Sequence, residues 1–314
     1  MSSTESRPDA AQPANPGLAA RAPHLDALRA ELDAIDDALL ATLQRRAAVV
    51  AEVAALKNGG IALRPGREAA ILRRLLRQNT NSPLPRQAVV RIWREILAGS
   101  IAQQGQFTVA VCEATAGQTG AIGLLAREHF GALVPLRLHR SPAQALGDVA
   151  AGDAGAAVLP LPEEEASGAP WWTLFLHQDG MAPARTDHGA ERGRVHIVAR
   201  LPFWTPRPDT APHAAAFVAA AIPPDPSGAD RTLFGLEFPA ETSRTRLAGQ
   251  IAAAGLTAGS ILLRREADQK TAWALVDLAG FIVEDDPRLA TIEGLLRPAA
   301  RLGAYAECWE DSVS

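Results

Sequence analysis

The stretch LDALRAELDAIDDALLATLQRRAAVVAEVAALK, residues 25–57, decides the fold of the N-terminal part of this chain. Its apolar residues recur at alternating spacings of three and four, and neither proline nor glycine interrupts it before Gly59. This spacing predicts one long helix that packs lengthwise against other helices. At about 1.5 Å per residue the helix is roughly 50 Å long. Two shorter helices of the same chain cannot cover that length, so the sequence predicts a homodimer through the N-terminal helices.

Three cations of this helix lie at positions that bear on function. Arg46 occupies a seam position, Lys57 follows about three turns later near the same face, and Arg29 precedes Arg46 by about 25 Å along the axis. A single seam arginine is explained as well by a guanidinium that reaches past its neighbours to water. In an antiparallel dimer, however, Arg29 of one chain comes near the middle of the other. The sequence therefore predicts two equivalent sites per dimer, each borrowing an arginine from the second chain.

Two shorter helices follow a pair of glycines. The segment RPGREAAILRRLL predicts a second helix whose first turn contains Arg67 and Glu68. A third helix is predicted over residues 85–104, and its apolar stripe ends in Ser100 and Gln104, which lie one turn apart on the same face. An ordinary charged helix start and a fraying helix end are the alternative explanations of these two pairs.

The candidate site is a set of polar side chains on the three helices. Its members are Arg29, Arg46, Lys57, Arg67, Glu68, Ser100 and Gln104. The set contains no nucleophile with a neighbouring base, and no His or Cys that would ligate a metal. Its cations suit a small dianion held in a dry pocket, with an amide and a carboxylate as further hydrogen-bond partners. Such a site favours a reaction that needs positioning and stabilisation of developing charge, with neither a metal nor an organic cofactor.

These motifs resemble the all-helical family of chorismate mutases, the one fused to prephenate dehydratases. The resemblance covers about residues 25–104 and includes the first helix, RPGREAAIL and EILAGSIAQQ. It implies that Arg46, together with Arg29 of the second chain, holds the two carboxylates of chorismate. It also implies that Lys57 and Gln104 donate to the ether oxygen and that Glu68 accepts from the ring hydroxyl.

The resemblance assigns supporting polar contacts to Arg67 and Ser100. Family members often have an acidic residue where this chain has Arg64. In the rearrangement of chorismate to prephenate, the ether bond breaks as a carbon–carbon bond forms. Negative charge then grows on the ether oxygen, where Lys57 and Gln104 would strengthen their hydrogen bonds. A Gln donates without needing a proton, so activity is not expected to be confined to acidic pH.

The rest of the chain predicts further domains. Strand-like and helix-like runs alternate over residues 106–201, which predicts an α/β unit. Residues 202–230 are expected to form a Pro-rich linker with a short helix at AAAFVAAAI, and residues 231–310 read as βαββαβ. The whole is thus expected to be multidomain, with an all-α mutase domain of three helices over residues 24–105, forming an intertwined dimer. The order of domains resembles the bifunctional chorismate mutase–prephenate dehydratases with a terminal ACT regulatory domain.

The C-terminal part departs from the dehydratase pattern. The loop VCEATAGQTG keeps only Glu113 and Thr115 of the family's first motif, and no Thr precedes Arg200 where a Thr-Arg-Phe motif is expected. The sequence therefore predicts a degenerate dehydratase-like region followed by an ACT-like domain. That domain either senses an amino-acid effector or only assembles the oligomer. Trp171 and Trp172 are expected in a core or an interface.

Three alternatives to a simple mutase remain at this stage. One is a bifunctional mutase–dehydratase, another a non-catalytic helical dimer joined to an amino-acid sensor, and the third isochorismate–pyruvate lyase chemistry on the same helices. The interior cations count against the non-catalytic dimer, because buried charges need compensation. The fused dehydratase-like region counts against the lyase.

Composition excludes several classes of protein. The net charge of -4 gives no basic field for nucleic acid, and no segment is apolar for long enough to span a membrane. Residues 1–23 are rich in Ser, Ala and Pro and contain no apolar run, so we expect a disordered tail and a cytoplasmic location. The two cysteines, Cys112 and Cys308, are expected to be reduced core thiols.

Overall fold

The computed structural model describes residues 16–56, 62–113, 120–164, 170–176, 194–205, 211, 213–265 and 270–310. The chain divides into two compact units, Met1–Gly59 and Gly60–Ser314. Within the described residues, no helix combines the length and the apolar character needed to cross a membrane.

The first unit contains the predicted long helix, α1 (Pro16–Leu56), whose 41 residues extend about 60 Å. It begins at Pro16 and not near Leu25, so residues 16–23 of the expected disordered tail are helical; residues 1–15 lie outside the described residues. The apolar seam is present on α1 but uncovered. Seven seam side chains are between 42% and 60% exposed: Leu25, Leu28, Leu32, Ile35, Leu39, Val49 and Val53.

The second unit begins with the two shorter helices, α2 (Pro65–Gln78) and α3 (Arg86–Ala102), which pack against each other. Pro65 occupies the first turn of α2, where its missing N–H costs no hydrogen bond. Leu72 and Leu76 of α2 are fully buried, as the apolar period of the segment predicts. Both helices confirm the sequence-based prediction to within a few residues.

An α/β layer follows, with strands β1 (Val109–Cys112), β2 (Leu136–His139) and β3 (Ala156–Pro160) and helices α4 (Ala121–Phe130) and α5 (Pro142–Ala151). β1 pairs in parallel with both β2 and β3, as expected for strands joined by helices. A 3-10 helix at Trp171–Phe175 places Trp172 in the core, as predicted. Cys112 is buried and Cys308 is half-buried, and the two do not form a disulfide with each other.

The predicted linker over residues 202–230 is wrong, because it contributes strands to the sheets. β4 (His196–Leu201) leads to the short β5 (Trp204–Thr205), and AAAFVAAAI, predicted as a helix, forms β6 (Ala216–Ala220). β6 lies between β3 and β4, antiparallel to both, and all five of its residues are buried. A short apolar run buried on both faces cannot be told from a buried helix by periodicity.

The last segment contains β7 (Asp230–Pro239), α6 (Arg244–Ala253), β8 (Ala258–Arg265), β9 (Thr271–Ala279) and β10 (Ala300–Ala306). Their sheet order is β10-β7-β9-β8, and every pair is antiparallel. The second helix predicted for this segment is absent from its described residues, which show only a 3-10 turn at Leu289–Thr291. Gly294 adopts a φ of 76°, a left-handed conformation that interrupts a helix, and Pro287 and Pro298 flank the turn.

The expected boundary between two C-terminal domains is not seen, because all strands except the short β5 and β11 (Trp309–Glu310) form one nine-stranded sheet. β10 joins β4 through the pair Gly303 and Ile197. Gly303 has a φ of 153°, and a Cβ there would collide with the backbone of Ile197. The close approach of the two strands therefore requires glycine.

Candidate functional site

A buried ion pair joins α2 to α3 where the two helices pack against each other. Nη1 of Arg94 donates to Oε2 of Glu68 at 3.0 Å, and both side chains are almost fully buried. Burial raises the pKa of Glu68, while the charge and the hydrogen bond of Arg94 oppose that rise. The guanidinium of Arg94 also lies 5.5 Å from the ring centroid of Phe203. Arg94 therefore fixes the orientation of the predicted site residue Glu68 and compensates the charge of its buried carboxylate.

Arg94 is not among the seven residues predicted from the sequence. A signal lies in the sequence, because Val90, Arg94, Leu97 and Ile101 follow one another at spacings of three and four, which places Arg94 on an apolar face of α3. The structure buries all four. Next to Arg94, burial lowers the pKa of His129 well below 6.5, and Arg94 adds to this effect. His129 is consequently a neutral neighbour of the ion pair at pH 7.

The first turn of α2 contains the predicted Arg67 next to Glu68. The side chain of Arg67 is exposed, and its backbone N–H donates to Oδ2 of Asp225 at 3.1 Å. The N–H of Gly66 donates to Oδ1 of the same carboxylate at 2.9 Å, and Nε of Arg64 donates to Oδ2 at 3.1 Å. A loop between β6 and β7 thus binds the start of the helix that carries two candidate residues.

Arg73 forms a second connection between α2 and this loop. Its Nη1 donates to Oγ of Ser227 at 2.7 Å, and its Nη2 donates to the carbonyls of Ala229 at 2.9 Å and Glu307 at 2.6 Å. Burial lowers the pKa of Arg73, and the nearby carboxylate of Asp230 opposes this. One buried guanidinium therefore ties the middle of α2 to the start of β7 and the end of β10.

Ser100 lies in the last turn of α3, and Gln104 lies two residues beyond the helix end at Ala102, where the sequence predicted that the helix still continued. Oγ of Ser100 donates to the carbonyl of Ile96 at 2.8 Å, and Nε2 of Gln104 donates to the carbonyl of Ser100 at 2.9 Å. Both side chains are half-buried. Each would exchange a local helix bond for a bond to a ligand by rotating its side chain.

The candidate residues of the first helix belong to the other unit. Arg29 is exposed and pairs with Asp26 of the same helix at 3.1 Å. Arg46 is half-buried on α1, and Lys57 lies outside the described residues. The structure thus bonds the side chain of Gln104 to the backbone of Ser100, but it exposes Arg67 while burying the adjacent Glu68, and it leaves the assembly of all seven residues as a prediction.

Comparison with known proteins identifies the helical region. Residues 28–105 match the family model of chorismate mutase type II, which confirms the resemblance read from the sequence. The bifunctional chorismate mutase/prephenate dehydratase of Stutzerimonas stutzeri is 30% identical over 169 residues, covering 50% of this chain and 44% of that protein. The protein of the same description from Pseudomonas aeruginosa is 31% identical over 166 residues, covering 49% and 44%. The chain thus spans less than half the length of these curated relatives.

Solved structures resemble the second part of the chain only distantly. A protein described as a novel type of quorum quenching acylase, GqqA, has a TM-score of 0.45 and 18% identity, covering 64% of this chain and 96% of its own. The prephenate dehydratase of Streptococcus mutans has a TM-score of 0.41 and 14% identity, covering 65% and 100%. At these scores the neighbours carry no argument about activity.

Proposed function

We propose that the chain is a chorismate mutase, an isomerase that rearranges chorismate to prephenate. The observation that carries the proposal is the family match over residues 28–105, because this stretch contains all seven candidate residues. The relatives from Stutzerimonas stutzeri and Pseudomonas aeruginosa are described as bifunctional chorismate mutase/prephenate dehydratases. The proposal includes a cytoplasmic location, a place in aromatic amino-acid biosynthesis, and chorismate and prephenate as the small molecules bound.

The proposal requires a dimer, since the cations of α1 must meet those of a second chain. The uncovered seam of α1 supports this requirement, because covering a half-exposed leucine contributes about 1 kcal/mol to association. In an antiparallel pair, Arg29 of one chain lies near the middle of the other. Each of the two sites would then combine Arg46 and Lys57 of one chain with Arg29 of the second.

The residues at the site would act by positioning and electrostatics. Arg29 and Arg46 bind the two carboxylates of chorismate and hold the conformer whose reacting carbons are in contact. Lys57 and Gln104 donate to the ether oxygen, and these bonds strengthen as the C–O bond breaks and charge develops. Glu68 accepts from the ring hydroxyl with its second oxygen while Arg94 occupies the first.

The direct test is the loss of chorismate absorbance on addition of the purified full-length chain, with the product identified. Prephenate as the product supports the proposal. Phenylpyruvate would identify the bifunctional alternative, which the relatives favour and the changed motifs around Glu113 disfavour. In the structure the carboxylate of Glu113 accepts from the N–H groups of Gly120 and Gly123 at the start of α4. No loss of chorismate would reject both activities.

A further inference from the structure

The start of α2 has no cap of its own. Arg64 occupies the N-cap position, and its side chain makes no capping hydrogen bond. A guanidinium only donates, so it cannot accept from the free N–H groups of a helix start. In most helices an Asp, Asn, Ser or Thr at this position accepts from the second or third N–H of the helix.

Asp225 supplies the missing acceptor from a remote part of the chain. The N–H groups that it binds belong to Gly66 and Arg67, the second and third residues of α2, which are those that a local N-cap side chain would bind. The carboxylate is 13% exposed, and Nε of Arg64 donates to it as well. A Cβ on Gly66 would collide with the backbone of Asp225, so glycine at this position permits the approach.

The loop that carries Asp225 is held on its far side too. The carboxylate of the buried Asp230 accepts from the N–H of Ser227 at 2.9 Å and from the N–H of Gly228 at 3.1 Å. Arg73 of α2 contacts the same Ser227. The loop is therefore fixed between α2 and the first residue of β7, and Asp225 is presented to α2 by the C-terminal sheet.

We propose that Asp225 is a positioning residue of the mutase site, contributed by the C-terminal region of the chain. By capping α2 it fixes the turn that carries Arg67 and Glu68. The inference rests on the proposed function, since it assigns those two residues to the site. It makes full activity depend on a carboxylate outside the helical domain, and it links the state of the C-terminal sheet to the geometry of the site.

The experiment uses the full-length chain and two readouts, kcat/KM for chorismate and hydrogen exchange of the Gly66 and Arg67 amides. Asp225→Ala should lower kcat/KM by about tenfold, the size expected for loss of one cap, and should remove the protection of both amides. Asp285→Ala, which removes an exposed carboxylate from another loop, is the matched control and should change neither.

A rescue variant separates positioning from general destabilisation. Arg64→Asp places an acceptor at the local N-cap position, so Arg64→Asp combined with Asp225→Ala should recover amide protection and most of the lost kcat/KM. Arg64→Asp alone should have a lower kcat/KM than the double variant, because the carboxylates of residue 64 and Asp225 then repel each other at one helix start. Arg64→Asp is thus expected to lower kcat/KM when Asp225 is present and to raise it when Asp225 is replaced by Ala. Such a reversal is specific to two residues that share one capping role.

Each outcome decides the inference. Unchanged kinetics in Asp225→Ala would overturn it, as would a double variant that regains amide protection without regaining activity. If Asp225→Ala does not fold, the double variant still provides the test, since it should fold and turn over chorismate. If the wild-type chain does not consume chorismate, the proposed function fails, while the exchange data still decide whether Asp225 caps α2.

Discussion

At the scale of single residues, the strongest effects on rate are expected at Lys57 and Gln104, the two residues proposed to donate to the ether oxygen. Lys57→Ala and Gln104→Ala should each lower kcat by about a hundredfold or more, because each removes a donor to the charge that develops in the transition state. Lys270→Ala and Gln103→Ala, which truncate an exposed lysine and the exposed neighbour of Gln104, are the controls. Steady-state kinetics measure the effect, and near wild-type turnover by both site variants would remove their assigned roles.

The buried ion pair makes a prediction about stability and pH. Arg94→Met leaves the Glu68 carboxylate buried without its cation, which should cost about 3–5 kcal/mol of unfolding free energy at neutral pH. Burial already raises the pKa of Glu68, and removing Arg94 raises it further. Folding of the variant then favours the protonated form, so its deficit against wild type should shrink as the pH falls from 8 to 5.

Urea denaturation at the two pH values measures this deficit. Arg91→Met on the exposed face of α3 is the matched control, and Glu68→Gln added to Arg94→Met should restore part of the lost stability. An equal deficit at pH 5 and pH 8 would show that the lost stability does not come from the charge of Glu68.

Residue contacts could be predicted from the sequence only where they are local. The contact of Gln104 with Ser100 follows from helical spacing alone. The contact of Asp225 with Arg64 spans 161 residues, and that of Arg94 with Glu68 joins two helices. No local pattern encodes the first, although the buried position of Arg94 was visible in the period of α3.

At the scale of elements, the seam of α1 predicts a change of oligomeric state. Leu39→Glu places a charge in the middle of the exposed apolar seam and should weaken the proposed dimer enough to give monomers by light scattering at micromolar concentration. Ala41→Glu adds the same charge to the opposite face of the helix and should leave the dimer intact. Equal behaviour of the two variants would mean that the seam is not the interface.

Two glycine substitutions, one where β10 pairs with β4 and one in α6, are expected to have opposite effects on stability. Gly303→Ala forces a Cβ against the backbone of Ile197 and should lower the free energy of unfolding by more than about 1 kcal/mol. Gly249→Ala, at an exposed position within α6 with no atom near, should raise it by about 0.5–1 kcal/mol. Denaturant titration gives both values, and a stable Gly303→Ala would contradict the close approach of the two strands.

Elements with a clear period were predictable, and those without one were not. The three helices of the N-terminal part and most strands lie where the apolar pattern places them. AAAFVAAAI has no polar face to set its period, so its sequence does not distinguish a strand from a helix, and pairing with β3 and β4 makes it strand β6. The prediction of a second helix in the last segment is wrong for a local reason, since Gly294 adopts a left-handed conformation.

At the scale of the whole molecule, the sequence predicted separate C-terminal domains, and the structure shows one continuous sheet. Joining β4 to β10 depends on the absence of a side chain at Gly303, which composition does not reveal. The same continuity lets Asp225 and Arg73 connect the sheet to α2. The C-terminal region is therefore in contact with α2, the helix that carries the candidate residues Arg67 and Glu68.

The proposal that each site is shared between two chains is tested most directly by mixing inactive subunits. Arg29→Ala and Lys57→Ala chains are each expected to be nearly inactive, but their heterodimer combines one intact Lys57 site with an intact Arg29 from the other chain. After equal mixing and complete subunit exchange, about a quarter of wild-type chorismate turnover should return, since half of the dimers are mixed and each has one complete site. No gain in turnover, with exchange confirmed by mass spectrometry of differently tagged chains, would contradict a site built from both subunits.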